Sequence, residues 1–142
     1  MKRILVALDG SERAPQVLAT AARLAELGDA KLVLYRAIGV PLDVPPEALS
    51  LTDVRLEDVL KRNAHEQLDR LASTLPPGLI VSISIEFATP WDGIVRSGRA
   101  HDADLIVLGS HGYGAIDRLL GTTAAKVVNH ADRNVLVVRT LL

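Results

Sequence analysis

The chain is expected to fold as a doubly wound α/β sandwich around a five-stranded parallel sheet, and three observations predict this. Short apolar runs alternate with amphipathic helical patterns along the sequence. Four of the runs are nearly continuous in Leu, Ile, Val and Ala, as strands are when helices cover both faces of their sheet. The fifth, Val81-Ser82-Ile83-Ser84-Ile85-Glu86-Phe87, alternates strictly, which suits an edge strand with one wetter face. Strand–helix alternation with right-handed crossovers and a central first strand gives the order 3-2-1-4-5.

The elements follow in order. Ile4–Leu8 is the first strand. Ser11 is placed to cap the first helix, with Pro15 in its first turn, where a missing N–H costs little. Val17, Leu18, Ala21, Leu24 and Ala25 then share one face, and Gly28 ends the element. Leu32–Ala37 is the second strand. The stretch Gly39 to Asp53 is irregular, with Pro41, Pro45 and Pro46 as breakers. It hangs over the carboxyl edge of the sheet, as a lid or as mere connection. A second helix is expected from Val54 to Ser73, with Leu56, Val59, Leu60, Leu68, Leu71 and Leu75 as its stripe, stopped by Pro76-Pro77-Gly78. A third starts near Pro90 and carries Ile94, Val95 and Ala100. Leu105–Leu108 is the fourth strand. The fourth helix follows Gly121, with Ala124, Val127, Val128 and Ala131 inward, and Val135–Val138 closes the sheet.

Composition narrows the function. With 142 residues, 49% of them apolar, one globular domain over 1–142 is expected. A net charge of −1 without a basic run leaves no footprint for nucleic acid. The absence of cysteine removes disulfides and thiolate chemistry. The apolar start is too short for a signal peptide, and no segment has the length of a membrane span. A soluble, cytoplasmic protein is therefore expected.

The chemistry concentrates behind the fourth strand. Gly109-Ser110-His111-Gly112, then Gly114 and Gly121-Thr122-Thr123, form a glycine-rich connection between a strand and a helix start. Glycines allow close backbone approach to an anion, and the N–H groups of a helix N-terminus point at it. In the order 3-2-1-4-5 the first and fourth strands are neighbours at the reversal point, where open α/β sheets bind ligands. Asp9 and Gly109 then end facing strands. Asp9 is suited to ribose hydroxyls or, alternatively, to capping its own turn, and Ala37 offers backbone groups to an adenine edge. The loop without a ligand is simply a tight connection. Lysine is missing after the last glycine, so the P-loop is not the model. No histidine pair has metal-binding spacing, and no metal-ligating or catalytic set is assigned. His65 and His130 read as helix-surface residues, His101 as lying near a helix end, and Trp91 as packing. His111 reads as an anion contact and Arg118 as an exposed loop residue.

Taken together, Leu8-Asp9-Gly10-Ser11, Ala103 to Gly112, Leu119-Leu120-Gly121-Thr122 and Asn134 to Arg139 resemble the universal stress protein family, over essentially the whole chain. The resemblance implies a flavodoxin-like, adenine nucleotide alpha hydrolase-like sandwich, ATP binding, and homodimers paired through the last strand. The family's motif is Gly, two residues, Gly, nine residues, Gly, then Ser or Thr. Here Gly109, Gly112 and Gly121-Thr122 match, with the spacer from Tyr113 to Leu120 one residue shorter. The implied nucleotide site comprises Ala7, Leu8, Asp9, Ala37, Leu108, Gly109, His111, Gly112, Gly121, Thr122, Thr123 and Ala124. Mg²⁺ is expected with the ATP, held mostly by phosphate and water because Asp9 is the acidic candidate. The expected role is a homodimeric stress-response or signalling module that hydrolyses ATP slowly, if at all, and meets an unidentified protein partner. The alternatives are a dimerisation module without nucleotide and a nucleotide-dependent hydrolase on the same scaffold.

Overall fold

The computed structural model describes residues 1–39, 46–110 and 120–140, with the backbone alone over 46–55. The strands are β1 (Arg3–Ala7), β2 (Lys31–Ile38), β3 (Ile80–Phe87), β4 (Leu105–Gly109) and β5 (Asn134–Val138). The helices are α1 (Ala14–Gly28), α2 (Pro46–Ala72), α3 (Pro90–Ala100) and α4 (Thr122–His130). The strands form one sheet in the order β3-β2-β1-β4-β5, every pair parallel. The expected order is thus the observed one, with β3 and β5 at the edges.

Alternation along the inner strands divides the core in two. Ile4, Val6, Leu32, Leu34 and Val107 face α1 and α2, where Val17, Leu18, Ala21 and Leu68 meet them. Leu5, Val33, Tyr35, Ile106 and Leu108 face α3 and α4, against Ile94, Val95 and Val127. Both faces are covered, so β1 reads as an unbroken apolar run, and Ile4, Leu5 and Val6 are fully buried. On β3, Ile83 and Ile85 join the first cluster while Ser82, Ser84 and Glu86 alternate with them.

Several local expectations are corrected. Ser11 is not the cap of α1; Arg13 holds that position, and Ser11 belongs to the turn before it. The helix ends at Gly28 as expected, and Asp29 caps it in the left-handed region (φ 52°), which its short polar side chain tolerates. The second helix begins at Pro46, ahead of Val54, because a proline in a first helical turn surrenders an N–H that has no acceptor there. Val59 and Val128 are largely exposed, and Ala100 is exposed as well. Their places on the buried faces go to Ala64 in α2 and to Ser97 and Gly98 in α3. Gly98 is required for close packing, since a Cβ there would lie 2.8 Å from Ile106 Cδ1.

Two carboxylates tie the lower edge of the sheet. Asp104 Oδ2 accepts hydrogen bonds from the backbone N–H of Lys2 (2.6 Å) and Arg3 (2.9 Å), joining the starts of β1 and β4. Those bonds hold its carboxyl below the usual carboxylate range. Hydrogen bonding from Arg133, with Arg99 assisting, lowers Asp132 to about 2. A carboxyl depressed in the folded state contributes stability above its unfolded pKa, and that contribution is lost as pH falls through the folded value. Thermal unfolding followed against pH is therefore expected to hold a steady Tm from neutral down to about 4, then decline toward pH 2. Asp104→Asn should lower the plateau and flatten the decline.

Candidate functional site

The site is set by where strand pairing stops. β1 and β4 pair only as far as Val6↔Val107, whereas β4 continues beside β5 to Gly109↔Val138. Above Val107 the two central strands therefore part. A cleft of about 790 Å³ opens there, over the carboxyl ends of β1, β2 and β4.

Peptide directions follow from the alternation of sheet hydrogen bonding. Tyr35 C=O faces β1, where it accepts from Leu8 N–H at 2.9 Å, and Ile38 C=O faces away, accepting from Ala88 N–H at 3.1 Å. Ala37, two residues past Tyr35, thus turns its N–H and C=O toward β1 beyond the end of that strand. Ala37 lines the cleft at that point. On the other side Ser110 N–H donates to Val138 C=O (2.9 Å), so the peptide groups of Gly109 point back toward β1. A donor–acceptor pair at one end and a glycine at the other face a common gap.

The turn between them is built by Asp9. Its Oδ1 accepts from Ser11 N–H (3.0 Å) and from the Ser11 hydroxyl (2.6 Å), and that hydroxyl in turn accepts from Arg13 N–H (3.2 Å). The carboxylate stays exposed in the cleft wall while ordering the approach to α1. Gly10 lies close to Arg36, since a Cβ there would come within 2.7 Å of its Nη2. The Arg36 guanidinium donates to Gln67 on α2.

The start of α4 closes the rim. Gly121 N–H donates to Ser110 C=O (2.7 Å), which draws together the two ends of the glycine-rich loop. Ala125 N–H makes the first helical bond, to Gly121 C=O (3.0 Å). Thr122, Thr123 and Ala124 fill the first turn, where N–H groups have no acceptor in the helical i to i−4 pattern. Such amides favour an anion.

Of the residues expected at the site, Ala7, Leu8, Asp9, Ala37, Leu108, Gly109 and Thr123 line the cleft. Gly121, Thr122 and Ala124 are not among the lining residues; the Ala124 side chain is buried in the core, leaving its N–H as the group it has to offer. His111, Gly112, Gly114 and Arg118 lie outside the described residues, as does 40–45 of the irregular stretch after β2. Trp91 packs between helices, its ring 4.7 Å from that of His130 with Lys126 Nζ above it. His65 pairs with Asp69 on an exposed face, and His101 caps α3. Among the described residues no cluster of three or more His, Cys, Asp or Glu is placed to hold a metal.

Sequence reasoning missed Tyr35, Arg13, Arg36, Ile94 and Thr140 in the lining. Tyr35 is the most constrained. Its buried hydroxyl donates to Glu86 Oε1 (2.6 Å), and Arg96 bridges Glu86 and Asp92. Burial, and then the Glu86 carboxylate, push its pKa upward, so it stays a neutral donor. Arg13 differs from Arg36: its Nε is buried and, among the described residues, has no hydrogen-bond partner. A lone arginine carries no periodic signal in the sequence, which is why neither was picked out. Among the described residues no helix is long and apolar enough to cross a membrane.

Comparison with known proteins places this geometry. The model of the universal stress protein family matches residues 1–139. A Staphylococcus aureus (strain USA300) protein named for that family is 31% identical, over 98% of this chain and 84% of its own length. The universal stress protein UspA from Lactobacillus plantarum superposes with a TM-score of 0.78 at 28% identity, over 97% of each chain. A universal stress protein crystallised in complex with cAMP shares the fold at 23% identity, with a TM-score of 0.65 over 99% of this chain and 98% of that one.

Proposed function

The chain belongs to the universal stress protein family, and from that premise we propose that it binds an adenine nucleotide, ATP, in the cleft where β1 and β4 part. The observation that carries this reading is the peptide edge of Ala37 at the cleft, whose donor and acceptor match the donor–acceptor edge of adenine. Asp9 then accepts from the ribose hydroxyls. The phosphates run past Gly109 toward the open amides of Thr122, Thr123 and Ala124, with Gly112 and His111 completing the loop. A family member that binds cAMP supports an adenine ligand on this scaffold.

Mg²⁺ would neutralise the phosphate charge, held by phosphate oxygens and water, with Asp9 the one carboxylate in the described lining. Hydrolysis is slow in this reading, since the described lining supplies no second acid or base to orient an attacking water. The protein acts in the cytoplasm as a homodimer paired through Asn134 to Arg139, since β5 is an apolar sheet edge that needs covering. Nucleotide occupancy changes the surface shown to a protein partner.

Equilibrium titration of labelled ATP into the purified protein tests this. The expected result is saturable binding of one nucleotide per chain, displaced by unlabelled ATP. Absence of saturable binding would leave the dimerisation module as the better reading, and rapid turnover of the bound ATP would favour the hydrolase.

A further inference from the structure

We propose that Arg13 is a phosphate-gripping residue that fits this cleft to a nucleotide with a linear phosphate chain. The inference rests on the nucleotide reading above and goes beyond it, because no part of the glycine motif includes Arg13.

Its position supplies the first argument. Arg13 begins the first turn of α1, and Val17, one turn on, lies against Gly109; a Cβ on that glycine would be 3.2 Å from Val17 Cγ2. Arg13, Ala14, Val17 and Gly109 all line the cleft. The guanidinium therefore belongs to the Gly109 side of the gap, away from the peptide edge of Ala37 where the base is placed.

Its bonding supplies the second. Arg13 Nε is buried and unpartnered among the described residues, whereas the other lining arginine, Arg36, is engaged by Gln67. Buried donors are nearly always satisfied, because an unpaired one forfeits its hydration without return. A methionine would cover the same apolar surface at no such cost. Asp9 does not neutralise it either, since both described bonds of that carboxylate go to Ser11. A planar, always-charged guanidinium at the cleft wall matches the paired oxygens of a phosphate.

The test compares wild type, Arg13→Met and Arg13→Lys for binding of adenosine, AMP and ATP at one ionic strength. Losing a charge-assisted hydrogen bond should weaken ATP by roughly 10- to 100-fold in Arg13→Met. AMP should weaken less and adenosine not at all, while Arg13→Lys falls between wild type and Met. The Tm of unliganded Arg13→Met should not drop, because the replaced donor had no partner to lose. Unchanged ATP affinity in Arg13→Met overturns the proposal, and so does an equal loss for adenosine and ATP, which would make Arg13 a structural residue. If wild type binds none of the three ligands, the nucleotide reading itself fails; wild-type binding with an unaffected variant defeats only the role of Arg13.

Discussion

Gly93→Ala should unfold about 10 °C below wild type, and Tyr35→Phe should restore most of that loss. An ideal Cβ on Gly93 would sit 2.1 Å from the Tyr35 hydroxyl and 3.1 Å from both Glu86 Oε1 and Ala88 Cβ. Tyr35 cannot swing aside, being 1% exposed and packed between β1, β2 and α3. The added methyl must therefore break the 2.6 Å bond to Glu86 and strain the contact between α3 and the sheet. Overpacking and the lost buried hydrogen bond together cost about 3 kcal/mol. Tyr35→Phe alone removes the hydroxyl and should cost about 1 kcal/mol, because Glu86 keeps Arg96. In the alanine background the same change relieves the clash, so its sign reverses. Urea unfolding of the four proteins as a double-mutant cycle measures this coupling, and simple additivity would show that Tyr35 and α3 do not share the space described. Tyr35 and Ile94 also line the cleft, so Gly93→Ala should weaken nucleotide binding in parallel.

Asp9→Ala is expected to weaken ATP by roughly 10- to 100-fold, the scale of a lost charged acceptor. The same carboxylate holds the turn before α1 through Ser11, so alanine also costs about 1 kcal/mol of stability. Asp9→Asn separates the two roles. Its amide oxygen can still accept from Ser11, keeping the turn and the Tm, while the negative charge facing the ribose is gone. Affinity that falls in both variants, with stability falling in alanine alone, assigns Asp9 to the ligand as well as to the turn. Wild-type affinity in Asp9→Asn would reduce it to a turn cap. Calorimetric titration beside thermal unfolding reads both quantities.

How much of this was readable beforehand follows from the kind of signal each residue carries. β1, β4 and most of β2 are covered on both faces, so their nearly continuous apolar runs announced a parallel sheet, and the alternation in β3 announced its edge. Asp9, Ala37 and Gly109 were then placed by topology alone, because a strand order names which strand tips face each other. Signals that depend on partners distant in sequence were invisible. Tyr35 and Glu86 meet across 51 positions, and nothing in either run marks the bond. Arg13 and Arg36 were passed over because a single charged residue ordinarily points to water. Ser11 was misread for a subtler reason: its hydroxyl serves the Asp9 turn, leaving the cap position to Arg13. Pro46 was misread because a proline marks a helix's beginning as readily as its end.

The most direct measurement of the central claim is an amide-resolved NMR titration of the isotopically labelled protein with ATP. Saturable shifts are expected to concentrate on Ala37, Gly109 and the first turn of α4, with the lower edge around Asp104 and Asp132 silent. Shifts confined to β5 or to the outer faces of α2 and α3, with Ala37 and Gly109 unmoved, would contradict it.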